Sequence, residues 1–163
     1  MVDLITYSPS ETQSLGRLIG TLLPKSSILG IDGSLGSGKT CLVQGIALGL
    51  GISSDTHVTS PAYTLIQQYP IQHTTLIHID FYRLDSLRSA DLMLFEELFS
   101  HPEHIIAVEW ASKFLSELVA DFLKISISPG SKQNHRIFKI SSDSTAYAQV
   151  LRRLSDSYVH AGA

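Results

Sequence analysis

The stretch Gly33-Ser34-Leu35-Gly36-Ser37-Gly38-Lys39-Thr40 constrains this chain more than any other. It satisfies G-x-x-x-x-G-K-[ST] at every fixed position. Its context fits as well. Ser27–Asp32 is a short apolar run that reads as a buried strand, and Thr40–Leu50 has helical periodicity that stops at Gly49 and Gly51. A strand enters the glycine turn and a helix leaves it. Glycines let successive backbone N–H groups curl into a concave nest for an anion. The helix that follows aims its unpaired N–H groups and positive dipole end at the same place. The loop residues Gly33, Leu35, Gly36, Ser37 and Gly38 are therefore expected to cradle phosphate. Lys39 adds a point charge for the β- and γ-phosphates, and Thr40 offers a hydroxyl to Mg²⁺. Cys41 would open the helix, a position that lowers a thiol's pKa, yet a small packed residue fits it better than a nucleophile.

Such a loop needs a metal-holding acid and a group that orders the attacking water. Ligands in open α/β sheets sit at the carboxyl ends of strands. Two acids end apolar runs: Asp80 after Leu76-Ile77-His78-Ile79, and Glu109 after Ile105-Ile106-Ala107-Val108. Parallel strands would carry both to the loop. Asp80 suits the metal-holding role, and Glu109 either binds Mg²⁺ or activates water. Lys39, Asp80 and Glu109 are thus the expected catalytic set, and Thr40, Asp80 and Glu109 the expected metal set. Ser60-Pro61-Ala62-Tyr63-Thr64 lies where a nucleotide-sensing loop often runs, and reads equally well as a proline turn opening a strand. His101-x-x-His104 has no convincing metal-ligand spacing, because Pro102 puts it in a loop.

The remaining elements follow from periodicity. Val2–Tyr7 alternates like a strand. Ser8, Pro9 and Glu11 make a capping box, with Leu15, Leu18, Ile19, Leu22 and Leu23 at helical spacing before Pro24. Thr64–Ile71 and Thr74–Asp80 read as strands joined near Pro70, Ala90–Phe99 as a helix, and Ala111–Val119 as a short helix. Phe122–Ser128 and Arg136–Ser141 read as a hairpin, and Thr145–Val159 as a terminal helix. Strands alternating with helices mean an α/β domain.

With 163 residues, one domain over 1–163 is expected. An apolar fraction of 44% excludes disorder, and the single cysteine excludes an internal disulfide. Apolar runs are too short to span a bilayer, and the first residues lack the order of a signal peptide, so a cytoplasmic protein with no membrane partner is expected. Lys and Arg number 12 against 15 Asp and Glu, but residues 121–163 hold six of those cations and three of the acids. Without interleaved aromatics this reads as a solvated basic face rather than a nucleic-acid patch. Asn134 is the only asparagine and precedes His135, so no N-K-x-D guanine reader exists.

In order and spacing, GSLGSGKT, SPAYTL, HIDFYRL and VEW resemble the TsaE family, small bacterial ATPases of tRNA threonylcarbamoyladenosine (t6A) biosynthesis. The resemblance covers roughly residues 5–128. It implies a P-loop NTPase-like three-layer α/β sandwich with a mostly parallel central sheet and a C-terminal antiparallel hairpin. It also implies ATP and Mg²⁺ as cofactors, TsaB and TsaD as partners, and contact with tRNA only through that complex, at adenosine 37. By this likeness Lys39 and Thr40 hold phosphate and metal, Asp80 and Glu109 serve Mg²⁺, and Cys41 belongs to the nucleotide-binding run. Ser10 and Thr12 are carried over as adenine neighbours. Trp110, Tyr82 and Arg83 fall on the nucleotide or partner face. Ser34 stands where the family usually has aspartate, while Cys41 and Ala62 stand where it usually has threonine. A small-molecule kinase and a nucleotide-gated interaction switch are the alternatives.

Overall fold

The computed structural model describes residues 1–159; the last four residues of the expected domain, 160–163, lie outside the described residues. Seven strands form one sheet: β1 (Val2–Thr6), β2 (Ile28–Gly33), β3 (Ile66–Ile71), β4 (Thr74–Asp80), β5 (His104–Glu109), β6 (Leu123–Pro129) and β7 (Arg136–Ser141). Their order is β1-β7-β6-β2-β5-β4-β3. The central pairs β6/β2, β2/β5 and β5/β4 are parallel, while β1/β7, β7/β6 and β4/β3 are antiparallel. Three pairs of each kind make the sheet mixed rather than mostly parallel. The antiparallel pairs come from the late hairpin and from both edges.

The helices are α1 (Pro9–Leu22), α2 (Lys39–Gly49), α3 (Ser89–Ser100), α4 (Leu115–Leu118) and α5 (Ala148–Val159). Strand alternation sorts the core into two layers. Leu29, Ile31, Leu76, Ile105 and Ala107 pack towards α1, α2 and α5. Ile28, Ile77, Ile79, Ile106 and Val108 pack towards α3 and α4. Helix α1 starts on the expected capping box: Ser8 Oγ accepts from Glu11 N–H at 3.2 Å, and Tyr7 N–H donates to Glu11 Oε2 at 2.9 Å.

Helices α1 and α2 meet through four glycines. A methyl group built on Gly16 would lie 2.3 Å from Leu42 O, on Gly20 2.4 Å from Ile46 O, on Gly45 2.2 Å from Gln13 O, and on Gly49 2.2 Å from Arg17 O. Backbone rests on backbone there, and no side chain fits between.

Several expected boundaries change. The strand expected from Thr64 starts at Ile66, and the helix expected over Thr145–Val159 opens with a 3₁₀ turn (Thr145–Tyr147) before α5. Pro70 lies inside β3, tolerated because β3 is an edge strand, and the turn falls at Gln72 and His73. The expected helix over Ala111–Val119 splits into a 3₁₀ turn (Ala111–Lys113) and the single turn α4, divided at Phe114 with φ −147°.

Candidate nucleotide site

Strand β2 is flanked by β5 and β6, so the loop that leaves it opens at the centre of the sheet's carboxyl edge. Gly36 (φ +75°) and Gly38 (φ +103°) take left-handed backbone, and a methyl group on either would meet nothing within 4 Å. Both glycines line the cleft in front of the loop. Gly38 caps α2, whose first residue is Lys39.

Leu35, Gly36, Gly38, Lys39, Thr40, Cys41, Ser60, Ala62, Asp80, Glu109 and Trp110 line one cleft of about 320 Å³. A larger hollow of about 850 Å³ beside β3 gathers no Asp, Glu, Lys or Arg side chain. Register explains how the acids arrive: Asp80 and Glu109 are direct partners across β4 and β5. Thr40 Oγ1 donates to Glu109 Oε1 at 2.8 Å. His78, wholly buried, places Nε2 at 2.9 Å from the same Oε1. Asp80 accepts from Ser60 Oγ at 2.5 Å and from Tyr82 N–H at 2.9 Å.

Lys39 is only 5% exposed. Its Nζ donates to the carbonyls of Gly33 at 2.8 Å and Ser34 at 3.1 Å, and lies 4.2 Å from the ring centre of Trp110. Burial pushes its pKa below 10.5, opposed by the charges of Glu109, Asp80 and Asp32. Trp110 itself has φ +58°, next to the cleft acid Glu109, and rests on Tyr82 at 5.2 Å between ring centres.

The oxygen-only donor set fits a hard cation. A hydroxyl and two carboxylates leave positions that Mg²⁺ fills with water and phosphate oxygens. Among the described residues no three His, Cys, Asp or Glu side chains converge, so the protein supplies no closed metal cage. The loop fits a phosphate chain as well, since Gly36 and Gly38 line the cleft on left-handed backbone, the conformation from which backbone nests are built.

Of the residues expected here, Leu35, Gly36, Gly38, Lys39, Thr40, Cys41, Asp80 and Glu109 come together. Gly33 and Ser37 form the loop's floor: a methyl group on Gly33 would lie 2.5 Å from Ser37 Oγ, and that hydroxyl is buried without a partner. Thr12 is not brought to the cleft. Its buried hydroxyl bonds Thr6 Oγ1 at 2.8 Å and the Ser8 carbonyl at 3.2 Å. Ser10 pairs with Ser8 Oγ at 2.9 Å, outside the cleft lining. Cys41 donates to Pro9 O at 3.4 Å, and burial raises its thiol pKa against the lowering effect of Arg136. The helix-terminus effect expected for this thiol is outweighed. Arg83 stacks on Tyr63, 4.0 Å from its ring centre.

Two side chains escaped the sequence reading. Arg136, the first residue of β7, donates from Nε to Ser37 O at 2.8 Å and from Nη2 to Gly36 O at 3.3 Å. Lys113 donates to the carbonyls of Phe81 at 3.1 Å and Tyr82 at 2.9 Å, which fastens the chain beyond Asp80. No helix among the described residues is long and apolar enough to cross a membrane.

The family model described as "Threonylcarbamoyl adenosine biosynthesis protein TsaE" matches residues 6–138. That match runs ten residues beyond the resemblance read from the motifs, and so takes in Arg136. A Treponema pallidum protein named "tRNA threonylcarbamoyladenosine biosynthesis protein TsaE" is 36% identical over 124 residues, 76% of this chain and 88% of that protein. An Aquifex aeolicus protein of the same name is 31% identical over 137 residues, 84% of this chain and 96% of its own. The fold is similar to the crystal structure of Bacillus subtilis YdiB, with a TM-score of 0.78 and 27% identity over 96% of this chain and 95% of that one.

Proposed function

Because this chain belongs to the TsaE family, we propose that it binds and hydrolyses ATP in the cleft at the carboxyl edge of its sheet, in the service of t6A modification of tRNA. The observation that carries this reading is the Thr40–Glu109 hydrogen bond at 2.8 Å. It joins the hydroxyl expected on Mg²⁺ to the acid expected beside it, so both address one point in front of the loop.

The loop N–H groups and the start of α2 receive the phosphates. Lys39 leaves the carbonyls of Gly33 and Ser34 and turns its charge to the β- and γ-phosphates. Thr40, Asp80 and Glu109 would hold Mg²⁺ directly or through water, and the ion would supply positive charge that offsets the phosphates. Glu109 orders the attacking water and takes its proton. The bond between the γ-phosphorus and the bridging oxygen breaks, giving ADP and phosphate. TsaB and TsaD are the proposed partners. Turnover is slow alone and faster with them, because no arginine among the described residues lines the cleft, and a cation supplied at that point is worth about 10³–10⁵ in rate.

The test is thermal unfolding of wild type and Lys39→Ala with and without Mg-ATP. Ligand at about a hundred times Kd adds about 2.7 kcal/mol to a protein that binds it. Wild type is expected to show that gain and Lys39→Ala to lose it. A variant stabilised like wild type would end the phosphate role of Lys39. A second reading, a nucleotide-gated switch, is favoured by the Ser60–Asp80 hydrogen bond, which ties the Pro61–Tyr63 loop to the metal-holding acid. It predicts partner affinity that follows nucleotide state without turnover.

A further inference from the structure

Glu109 is held from behind by a side chain that the proposed chemistry does not otherwise use. His78 precedes Asp80 by two residues on β4, so both side chains leave the sheet on the α2 face. Its partner across β5 is Ala107, whose methyl group leaves room for a ring to lean along the sheet. The leaning imidazole brings Nε2 to 2.9 Å from Oε1 of Glu109. Thr40 donates to that same oxygen at 2.8 Å. Both side-chain hydrogen bonds to this carboxylate end on Oε1, and among the described residues none ends on Oε2. An ionised carboxylate only accepts, so Nε2 carries the hydrogen. Nδ1 is buried with no partner and is the bare nitrogen of the ring.

We propose that His78 is a positioning residue for ATP hydrolysis: its Nε2–H fixes the rotation of the Glu109 carboxylate and so presents Oε2 to the attacking water. The inference rests on the ATPase reading above. Its physical ground is the softness of the terminal torsion of a glutamate, which is broad and roughly two-fold when nothing anchors it. Thr40 alone would anchor it through a side chain that also serves the metal. His78 takes no part in binding and holds the carboxylate whatever fills the cleft. An error of about 1 Å in such a group costs about 10²-fold in rate, which makes a buried second anchor worth keeping.

Two measurements test the proposal. In ¹⁵N-labelled protein without nucleotide, long-range ¹H–¹⁵N correlation is expected to show His78 with hydrogen on Nε2 and a bare Nδ1, and a shifted Nε2 resonance in Glu109→Gln. Hydrogen on Nδ1, or an Nε2 resonance indifferent to Glu109→Gln, would overturn it. In phosphate release with the partners present, His78→Phe keeps a ring and removes the donor. Its kcat is expected to fall about 10- to 100-fold while KM for ATP changes less than about 3-fold. His78→Gln restores an N–H near the place of Nε2 and is expected to recover at least about a third of kcat. Equal loss in both variants would mean that an N–H at this place does not carry the effect, and full activity of His78→Phe would mean that the ring at most fills space; either overturns the proposal. If wild type releases no phosphate, the ATPase reading fails, and the resonance measurement still decides whether His78 holds Glu109.

Discussion

Arg136 Nε donates to the carbonyl of Ser37 at 2.8 Å across 99 residues of sequence, and this bond fastens the β6–β7 turn to the phosphate loop. The same guanidinium reaches Gly36 O, and its Nη1 bonds the carbonyls of Gln133 and His135 in its own turn. In a trans peptide the carbonyl and the following N–H point opposite ways, so holding the Ser37 carbonyl also fixes the orientation of the Gly38 N–H. Arg136→Ala is expected to weaken Mg-ATP about tenfold, about 1.4 kcal/mol, with unfolding temperature changed by only a few degrees. Arg136→Lys should resemble the alanine variant, because a point charge lacks the fork that bridges several carbonyls. Titration with a fluorescent ATP analogue reads both.

Glu109→Gln keeps the size of the side chain and its bond from Thr40 while removing the charge. Phosphate release with the partners should fall about 10²-fold or more, the usual scale for a lost acid–base group, while Mg-ATP still binds. Unchanged turnover would make Glu109 structural. Lost binding would make its metal role the larger one.

The glycine seam between α1 and α2 separates stability from ligand binding. Gly45→Ala puts a methyl group 2.2 Å from Gln13 O, against backbone that has no rotamer to change. Overpacking of this kind costs about 1–3 kcal/mol, and each kcal/mol lowers Tm by roughly 2–4 °C in a chain of this size. A calorimetric Tm lower by roughly 5–10 °C is expected, with nucleotide affinity little changed at low temperature. Gly36→Ala acts on both: Gly36 lines the cleft, so affinity falls, and its left-handed backbone (φ +75°) strains any residue with a Cβ by about 1–2 kcal/mol, so Tm falls with it.

Tyr147 gives a pH signature away from the cleft. Its hydroxyl donates to Ile28 O at 3.1 Å and accepts from Ile28 N–H at 2.9 Å, satisfying both backbone groups at the start of β2. Burial pushes its pKa above 10.0, opposed by the hydrogen bonds to Ile28 and Ser27. The folded chain therefore holds this proton more tightly than the unfolded one. The stability it confers is complete below about pH 10 and is lost as pH rises from there through the raised value. Tyr147→Phe should cost about 1–3 kcal/mol at neutral pH, the penalty for orphaned buried groups. The gap between wild type and variant, read from urea midpoints, should shrink above about pH 10.

What the sequence made legible was local. The glycine loop was readable because its backbone geometry dictates residue types at fixed spacing, and Asp80 and Glu109 because each ends an apolar strand. Arg136 was not, since one arginine among six late cations looks like any solvated charge until a hairpin brings it round. Gly16, Gly20 and Gly45 looked like ordinary helix glycines, and Gly49 like a helix stop. Their four-residue spacing on both helices was the available signal, and only the crossing reveals its meaning. Thr12 lies outside the cleft lining, and its hydroxyl ties α1 to Thr6, a bond across six residues that periodicity does not reveal. The strand order was out of reach as well, because periodicity identifies strands but not their neighbours.

The pairing of Val2 with Ile140 joins the first strand of the chain to its last. In synthesis β1 is made before every strand that could flank it, because its partner β7 begins only at Arg136. The glycine loop leaves the exit tunnel early, about a hundred residues ahead of the arginine that clamps it. A nascent chain that has just finished β6 carries the whole glycine-loop motif, both acids and the central parallel strands, yet lacks the clamp and the strand that joins β1 to β6. The arrival of β7 thus does two things in one step: it sets the clamp on the glycine loop and supplies the partner of β1.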